Sequence, residues 1–185
     1  MAENTATLLG NFNFRVTLRR SSTAEAGALG TRAAGGGSPG EALGEGGFQE
    51  CTGLDVEMDV AELIEGGRND GVIRRVGRGK YSPLVLKRGM FVAGQTANAD
   101  LWAWLQGILT GERPVRRYDG TIEVLDRVGN RNEQEAVVLA TWRFVRGLPT
   151  KVAGPSLNAK TGDIAMEELH IAHEGLAFEL PRGGG

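Results

Sequence analysis

The chain has 185 residues, a formal net charge of −2 and a hydrophobic content of 41%, values that are ordinary for one soluble globular domain. The small net charge excludes a whole-chain electrostatic attraction to nucleic acid or to an anionic membrane. A single cysteine, Cys51, excludes an internal disulfide. We expect neither a signal peptide nor a transmembrane helix, because the N-terminus lacks a basic and apolar leader and no apolar run reaches about 18 residues.

The first predicted element is a β-strand in which Phe12, Phe14, Val16 and Leu18 alternate with polar residues. Residues 21–47 follow, with nine glycines and no aromatic residue. Such a segment buries too little apolar surface to offset an ordering entropy of roughly 1–2 kcal/mol per residue. We therefore expect a single domain over residues 1–185 that carries a flexible, glycine-rich insertion at about 21–47.

A second amphipathic strand begins near residue 54 and is followed by an unusual excursion. Its apolar positions, from Leu54 to Val60, alternate with acidic residues. Residues 61–82 are then predicted as a charged, glycine-rich loop before another strand around 84–87. A domain of this size rarely carries so long a polar loop without a partner that receives it. The excursion therefore indicates a subunit of an assembly. The acidic residues of the strand are Asp55, Glu57 and Asp59.

One helix is predicted over residues 98–110. Asn98 or Asp100 can cap its first N–H groups, and Gly111 follows its last residue. The predicted buried stripe consists of Leu101, Leu105, Ile108 and Leu109, flanked by Trp102 and Trp104.

The rest of the chain is predicted as strands. Residues 121–125 form one, and residues 135–145 form another that is apolar on both faces, so either the helix or another subunit is expected to cover it. The sequence Gly147–Leu148–Pro149 is predicted to end that strand. Residues 164–180 are mostly extended. The chain is therefore mainly β, with antiparallel pairing favoured by its short connections.

The residues that usually carry chemistry do not form a recognisable site. His170 and His173 lie three apart, so on a strand they point to opposite faces and cannot share a metal ion. Cys51 has no evident partner base, and a small half-buried apolar role suits it better. The acidic row at 55–59 suits a solvated or channel-facing strand face better than general acid–base catalysis. We expect no enzymatic activity, no metal and no cofactor.

A run of basic residues crosses the excursion and enters the next strand, and acidic residues are mixed with it. Nucleic-acid contact favours interleaved aromatic residues, and only Tyr81 is present. Charge pairing between copies of the chain suits this pattern better, because it sets register and orientation. The basic run is Arg68, Arg74, Arg75, Arg78, Lys80, Lys87 and Arg88. The residues expected to contact a neighbouring subunit or ring are Glu62, Glu65, Arg68, Asp70, Arg74, Arg75, Arg78, Lys80 and Tyr81.

Several motifs in one order give the chain a family resemblance. The motifs are Thr52–Gly53–Leu54, Glu65–Gly66–Gly67 with Asn69, Lys80–Tyr81, Leu86–Lys87–Arg88–Gly89, Leu101–Trp102, Gly154–Pro155 and His173–Glu174–Gly175–Leu176. With them the chain resembles the tail tube proteins of contractile phages and of phage-like contractile injection systems, over most of its length outside the insertion.

The resemblance implies two packed antiparallel sheets with a flanking helix, and six copies closed into a hexameric ring whose strands form one inner β-barrel. Rings would stack into a hollow tube inside a contractile sheath, with Asp55, Glu57 and Asp59 facing the lumen. The implied partners are further copies of the chain, the sheath protein, baseplate and tube-terminating proteins, and cargo effectors or DNA, with no stable membrane anchoring. The tube would assemble in the bacterial cytoplasm and then belong to an injection particle or a virion tail.

Three readings of function follow. We favour an inner tube of a phage-like injection system, because the alanine- and glycine-rich insertion is bacterial in character. The first alternative is the tail tube of a contractile bacteriophage, which would conduct DNA. The second belongs to a different class, a monomeric β-barrel that binds a small ligand.

Overall fold

A computed structural model describes residues 13–21, 42–43, 47–63, 71–93, 96–126, 137–158, 160 and 162–180. These residues form twelve β-strands and one α-helix. In chain order they are β1 (Phe14–Arg20), β2 (Ala42–Leu43), β3 (Phe48–Thr52), β4 (Val56–Leu63), β5 (Ile73–Tyr81), β6 (Leu84–Gly89), β7 (Val92–Ala93), β8 (Thr96–Ala97), α1 (Asp100–Leu109), β9 (Tyr118–Leu125), β10 (Val138–Ala153), β11 (Met166–Ala172) and β12 (Gly175–Glu179).

Two antiparallel sheets share the long strand β10. Sheet A has the order β2-β1-β9-β10-β12, and sheet B has the order β10-β11-β6-β3. The core lies between the sheets, with Leu18, Ile122 and Phe144 from sheet A facing Leu86 and Leu169 from sheet B. The mainly β fold with two packed antiparallel sheets and one flanking helix is therefore confirmed.

Strand β10 joins the two sheets because it bends in its middle. Its first half pairs with β9 and β12, and its second half pairs with β11. The bend falls at a register shift between Phe144 and Gly147, where Arg146 has a positive φ of 55°. The prediction that Gly147–Pro149 ends the strand was wrong, because these residues turn the strand into sheet B instead of stopping it.

Helix α1 packs against β10 and its ends lie close to those predicted. Asn98 Oδ1 accepts from the Asp100 N–H at 2.9 Å, and Gly111 follows the helix with a φ of 88°. The predicted buried stripe was partly wrong. Leu101 and Trp104 are buried, whereas Leu109 is 76% exposed. At 3.6 residues per turn, Leu109 lies roughly 100° from the face that Leu101 and Trp104 define with Ile108.

The predicted loop over 61–82 was also wrong in its described part. Strands β4 and β5 form a two-stranded antiparallel hairpin, named here the arm, and residues 64–70 at its far end lie outside the described residues. Within the predicted insertion, Ala42–Leu43 pair with β1, while residues 22–41 and 44–46 lie outside the described part. In the segments that are described, no helix is long and apolar enough to span a membrane.

Candidate assembly surfaces

The arm extends from the edge of sheet B. The chain runs from β3 through β4 and β5 to β6, so the arm continues the β3–β6 pair beyond a break at residues 53–55 and 82–83. Gly53 has a φ of 84°, and a Cβ atom there would overlap the carbonyl oxygen of Pro83. Only glycine therefore fits this position. The break allows the arm to leave the plane of sheet B, which explains why the Thr52–Gly53–Leu54 motif stands at its base.

One face of the arm is mainly apolar and largely exposed. Val56 lies opposite Tyr81 and Val60 lies opposite Val76, so these side chains share a face with Met58. Val56 is 60% exposed and Val76 is 80% exposed. An isolated hairpin is only marginally stable in water, and monomeric proteins seldom expose a contiguous apolar strand face. This face therefore has the character of a surface that another protein covers.

The opposite face of the arm carries charge. Glu57 lies opposite Lys80, and Lys80 Nζ pairs with Asp59 Oδ1 at 2.9 Å. On the other face, beyond Val60 and Val76 at the far end, Arg74 lies opposite Glu62, and their side chains approach to 3.6 Å. All four paired side chains are more than half exposed, so each pair adds little to the stability of the subunit. Their charges can instead set the register of a contact with another surface.

The arm brings together most of the residues that the sequence assigned to contacts between subunits or rings. Within that set, Tyr81 differs because it is half-buried at the base of the arm, with its ring 5.5 Å from that of His173. Glu57 and Asp59 lie on the charged face, and Asp55 lies at the break. Both the contact role and the lumen-facing role stay predictions. The contact residues on the arm are Glu62, Arg74, Arg75, Arg78, Lys80 and Tyr81, whereas Glu65, Arg68 and Asp70 lie outside the described residues.

Sheet B has a second feature that no sequence motif indicated, namely two free edges. Strand β3 pairs with β6 on one side only, and residues 148–153 of β10 pair with β11 on one side only, as far as the described strands extend. All pairs in this sheet are antiparallel, so β3 and β10 run in opposite directions. Unpaired edges of this kind are templates for pairing with another chain.

The face of sheet B that points away from the core carries a cluster of charges. Lys87 Nζ lies 3.0 Å from Glu50 Oε1 and 3.8 Å from Glu168 Oε2, and Lys151 Nζ lies 3.8 Å from Glu168 Oε1. His170 Nε2 is hydrogen-bonded to Glu168 Oε1. That hydrogen bond and the nearby positive charges hold the pKa of Glu168 below its ordinary value. These residues come from four strands, which explains why their sequence spacing gave no signal.

The residues considered for chemistry occupy separate places. His173 follows β11 and packs beside Tyr81 and Phe144, so it does not approach the His170–Glu168 pair. Cys51 packs against the core, and burial raises the pKa of its thiol to about 11, so it is not a thiolate near neutral pH. No group of three or more His, Cys, Asp or Glu side chains in the described ranges is arranged to hold a metal ion.

Comparison with known proteins decides the family. The model of the T4-like virus tail tube protein gp19 family matches residues 10–177. The chain belongs to this tail tube protein family. The resemblance inferred from its motifs and its assignment as a tail tube protein are therefore confirmed. Among curated proteins, no match was found.

Solved structures show the same tail tube fold. A chain from the sheath–tube complex of an extracellular contractile injection system, PVC, in its extended state is 20% identical with a TM-score of 0.67, covering 96% of this chain and 95% of that one. A chain from the anti-feeding prophage (AFP) baseplate is 18% identical with a TM-score of 0.68, covering 94% and 97%. A chain from the AFP tube-terminating cap is 19% identical with a TM-score of 0.65, covering 98% and 100%.

Proposed function

We propose that this tail tube protein is the inner-tube subunit of a phage-like contractile injection system. Six copies close into a ring, rings stack into a hollow tube, and sheath contraction drives the tube into a target. Family membership supports the tube, and the solved structures of similar fold come from an injection system and from AFP assemblies. The subunit acts as a single structural domain and performs no catalysis.

The two free edges of sheet B are the observation that carries this proposal. Sheet B contributes four antiparallel strands, so β3 of one copy runs opposite to residues 148–153 of β10 in the next. Edge-to-edge pairing therefore continues the antiparallel pattern from copy to copy. Closure of the ring leaves no free edge in sheet B, which removes the liability of its unpaired backbone groups. A head-to-tail contact of this kind forms a ring when its rotation closes.

The arm provides the second contact. Its apolar face packs against a neighbouring subunit or ring, and its charged residues fix the register of that contact. Glu65, Arg68 and Asp70 are proposed to act with the charged residues of the described part of the arm. The glycine-rich segment around residues 21–47 is proposed as an insertion that varies the surface of the tube without changing the fold.

The proposed partners follow from this architecture. The outside of the tube contacts a sheath protein, its ends contact baseplate and tube-terminating proteins, and effectors occupy the lumen. The structures of similar fold come from a sheath–tube complex, a baseplate and a tube-terminating cap, which supports such partners. The tube assembles in the bacterial cytoplasm and then forms part of a particle that acts outside the cell.

A second candidate is the tail tube of a contractile bacteriophage, which would conduct DNA. The description of the matching family, a T4-like virus tail tube protein, favours it. Both candidates share the ring and the stacked tube. The neighbouring genes distinguish them, because a phage supplies capsid genes beside the sheath gene and an injection system does not.

Electron microscopy of the purified full chain tests the proposal. We expect rings with sixfold class averages at low concentration and hollow tubes at high concentration. Sedimentation should show a species about six times the subunit mass, rising with concentration. A protein that stays monomeric at every concentration and salt would contradict the tube and would favour the small-ligand alternative.

A further inference from the structure

We propose that the uncovered face of sheet B is the wall of the lumen, and that its paired charges suit a protein cargo of mixed surface charge. The inference rests on the proposed ring. It assigns the lumen to residues that the sequence did not select. These residues are Glu50, Thr52, Val85, Lys87, Lys151, Glu168 and His170.

Strand alternation separates the two faces of sheet B. Leu84, Leu86, Leu169 and Ile171 are fully buried and point into the core. Val85 pairs with His170, and Lys87 pairs with Glu168, so these residues share the opposite face. The register places Thr52 beside Val85, and Lys151 beside His170, on that same face.

Ring closure then decides which face is inside. The core face of sheet B is already covered by sheet A and by α1 of the same chain. A barrel that closes through sheet B cannot hold those layers from every copy inside it, because they would crowd its axis. They therefore lie outside the barrel, and the uncovered face lines the lumen.

The charges on this face balance one another. Each copy supplies two carboxylates, Glu50 and Glu168, and two ammonium groups, Lys87 and Lys151, within one connected cluster. The formal charges of these four groups sum to zero. Tight retention of a nucleic acid needs lysine or arginine side chains that are free to neutralise phosphates. Because the charges of this wall pair with one another, the wall attracts cargo only weakly at long range. Weak attraction suits a protein that must enter and leave the lumen.

A charge experiment on assembled tubes tests the assignment. The variant E50Q/E168Q removes both carboxylates of the cluster and leaves Lys87 and Lys151 without them. The matched control E123Q/E179Q makes the same change of +2 on the uncovered face of sheet A, where these carboxylates pair with Arg15 and Arg143. A fluorescent single-stranded oligonucleotide is present during assembly, and external nuclease is then added.

We expect wild-type tubes to retain little protected oligonucleotide and E50Q/E168Q tubes to retain roughly tenfold more, in a salt-dependent manner. The E123Q/E179Q tubes should bind oligonucleotide that the nuclease digests. Strong protection of the oligonucleotide in wild-type tubes would contradict the proposed effect of the balanced charges. Protection in E123Q/E179Q tubes alone would assign the lumen to sheet A. Absence of protected oligonucleotide in both variants also overturns the proposal. Failure of wild type to form rings or tubes would instead contradict the proposed function.

A labelling experiment tests the same face without changing its charge. In a Cys51→Ala background, Thr52→Cys lies on the uncovered face of sheet B and Thr17→Cys lies on that of sheet A. Free subunits of both variants should react with a maleimide coupled to streptavidin. In tubes seen by microscopy, Thr52→Cys should be protected from this bulky reagent but react with a small maleimide, while Thr17→Cys reacts with both. Reaction of Thr52→Cys with the bulky reagent in tubes refutes the lumen assignment.

Discussion

The guanidinium of Arg88 and the carboxylate of Glu167 form an ion pair inside the core, with 2.7 Å between Arg88 Nε and Glu167 Oε1 and side-chain exposures of 0% and 1%. The same guanidinium also pairs with Asp100 at the first turn of α1 and lies over the rings of Phe48 and Phe91. Arg88 therefore joins β6 and β11 of sheet B to the helix. In the sequence it belongs to the basic run that enters this strand, but in β6 it shares the buried face with Leu84 and Leu86.

Removal of Arg88 should destabilise the subunit strongly. Arg88→Met leaves the buried Glu167 carboxylate without its counter-charge, at an expected cost of about 3–5 kcal/mol in the free energy of unfolding. Urea denaturation followed by tryptophan fluorescence measures it. The double variant Arg88→Met/Glu167→Leu should recover much of the loss, because no unpaired charge then remains at position 167. A single variant that loses less than about 1 kcal/mol would contradict this role.

Local patterns predicted local structure well. The period-two alternation correctly predicted the strand around Phe14 to Leu18 and the extended region that contains β11 and β12. The flanking cap residues helped to predict the helix. In each case the deciding interactions lie within a few residues along the chain. The sequence-based prediction was wrong where glycine and proline normally mark the interruption of a strand. Gly77 and Gly79 lie within the arm, and Pro149 lies within β10, because tertiary pairing overrides their local preference.

The surfaces proposed for assembly were less predictable, for a physical reason. Whether a strand lies at the edge of a sheet depends on how all the other strands pair. The edges of sheet B therefore follow from its complete strand order and not from any local pattern. The charge cluster likewise joins Glu50, Lys87 and Glu168, which are far apart in sequence and become neighbours through register alone. The arm was predicted only as an excursion that needs a partner, because its length was visible and its pairing was not.

Charge reversal on the arm should impair stacking and spare the fold. The triple variant R74E/R75E/R78E changes exposed side chains, so we expect the free energy of unfolding to stay within about 0.5 kcal/mol of wild type. Tube length in electron micrographs should fall most at low salt and recover in part as added salt screens the new repulsion. The variant R74K/R75K/R78K keeps the charges and serves as the control. A reversed variant that forms tubes with wild-type salt tolerance would remove these residues from the contact.

The apolar face of the arm should contribute to assembly and little to the subunit. Val60→Thr/Val76→Thr keeps the β-branched shape and removes apolar surface at two paired, exposed positions. We expect an unchanged urea midpoint for the subunit. The critical concentration for tube formation, measured by sedimentation, should rise roughly tenfold or more, because burying a valine contributes about 1.5–3 kcal/mol. Val60→Ile/Val76→Ile is the apolar control. An unchanged critical concentration in the threonine variant would show that this face stays uncovered.

Shortening of the glycine-rich insertion should preserve the domain. Deletion of residues 23–40 removes much of its glycine and leaves Ala42–Leu43, which pair with β1. Because loop-closure entropy changes slowly with length, we expect a soluble protein with an unchanged circular dichroism spectrum and an unfolding free energy within about 1 kcal/mol of wild type. Recovery of the variant only from inclusion bodies would show that the deleted residues are needed for folding.

His173 should make the stability of the subunit fall as the pH is lowered below about 7. Its imidazole packs beside Phe144 in the core and Tyr81 at the base of the arm, and burial lowers its pKa below the ordinary value, against smaller opposing contributions from backbone groups of Gly175 and Ser82. The unfolded chain therefore binds the proton more readily than the folded one. Stability is complete above the unfolded pKa of about 6.5 and falls as the pH is lowered through it.

Urea denaturation at several pH values measures this dependence. The variant His173→Phe keeps an aromatic ring between Tyr81 and Phe144 and removes the titrating group, so its unfolding free energy should fall less between pH 7 and pH 5 than that of wild type. Glu168→Gln provides a comparison with a different window. The pKa of Glu168 is lowered, so its contribution is present above its ordinary value of about 4.5 and is lost as the pH falls further. If the unfolding free energy of His173→Phe depended on pH between 7 and 5 as that of wild type does, the loss of stability would come from another group. His173 at the base of the arm would then not be its cause.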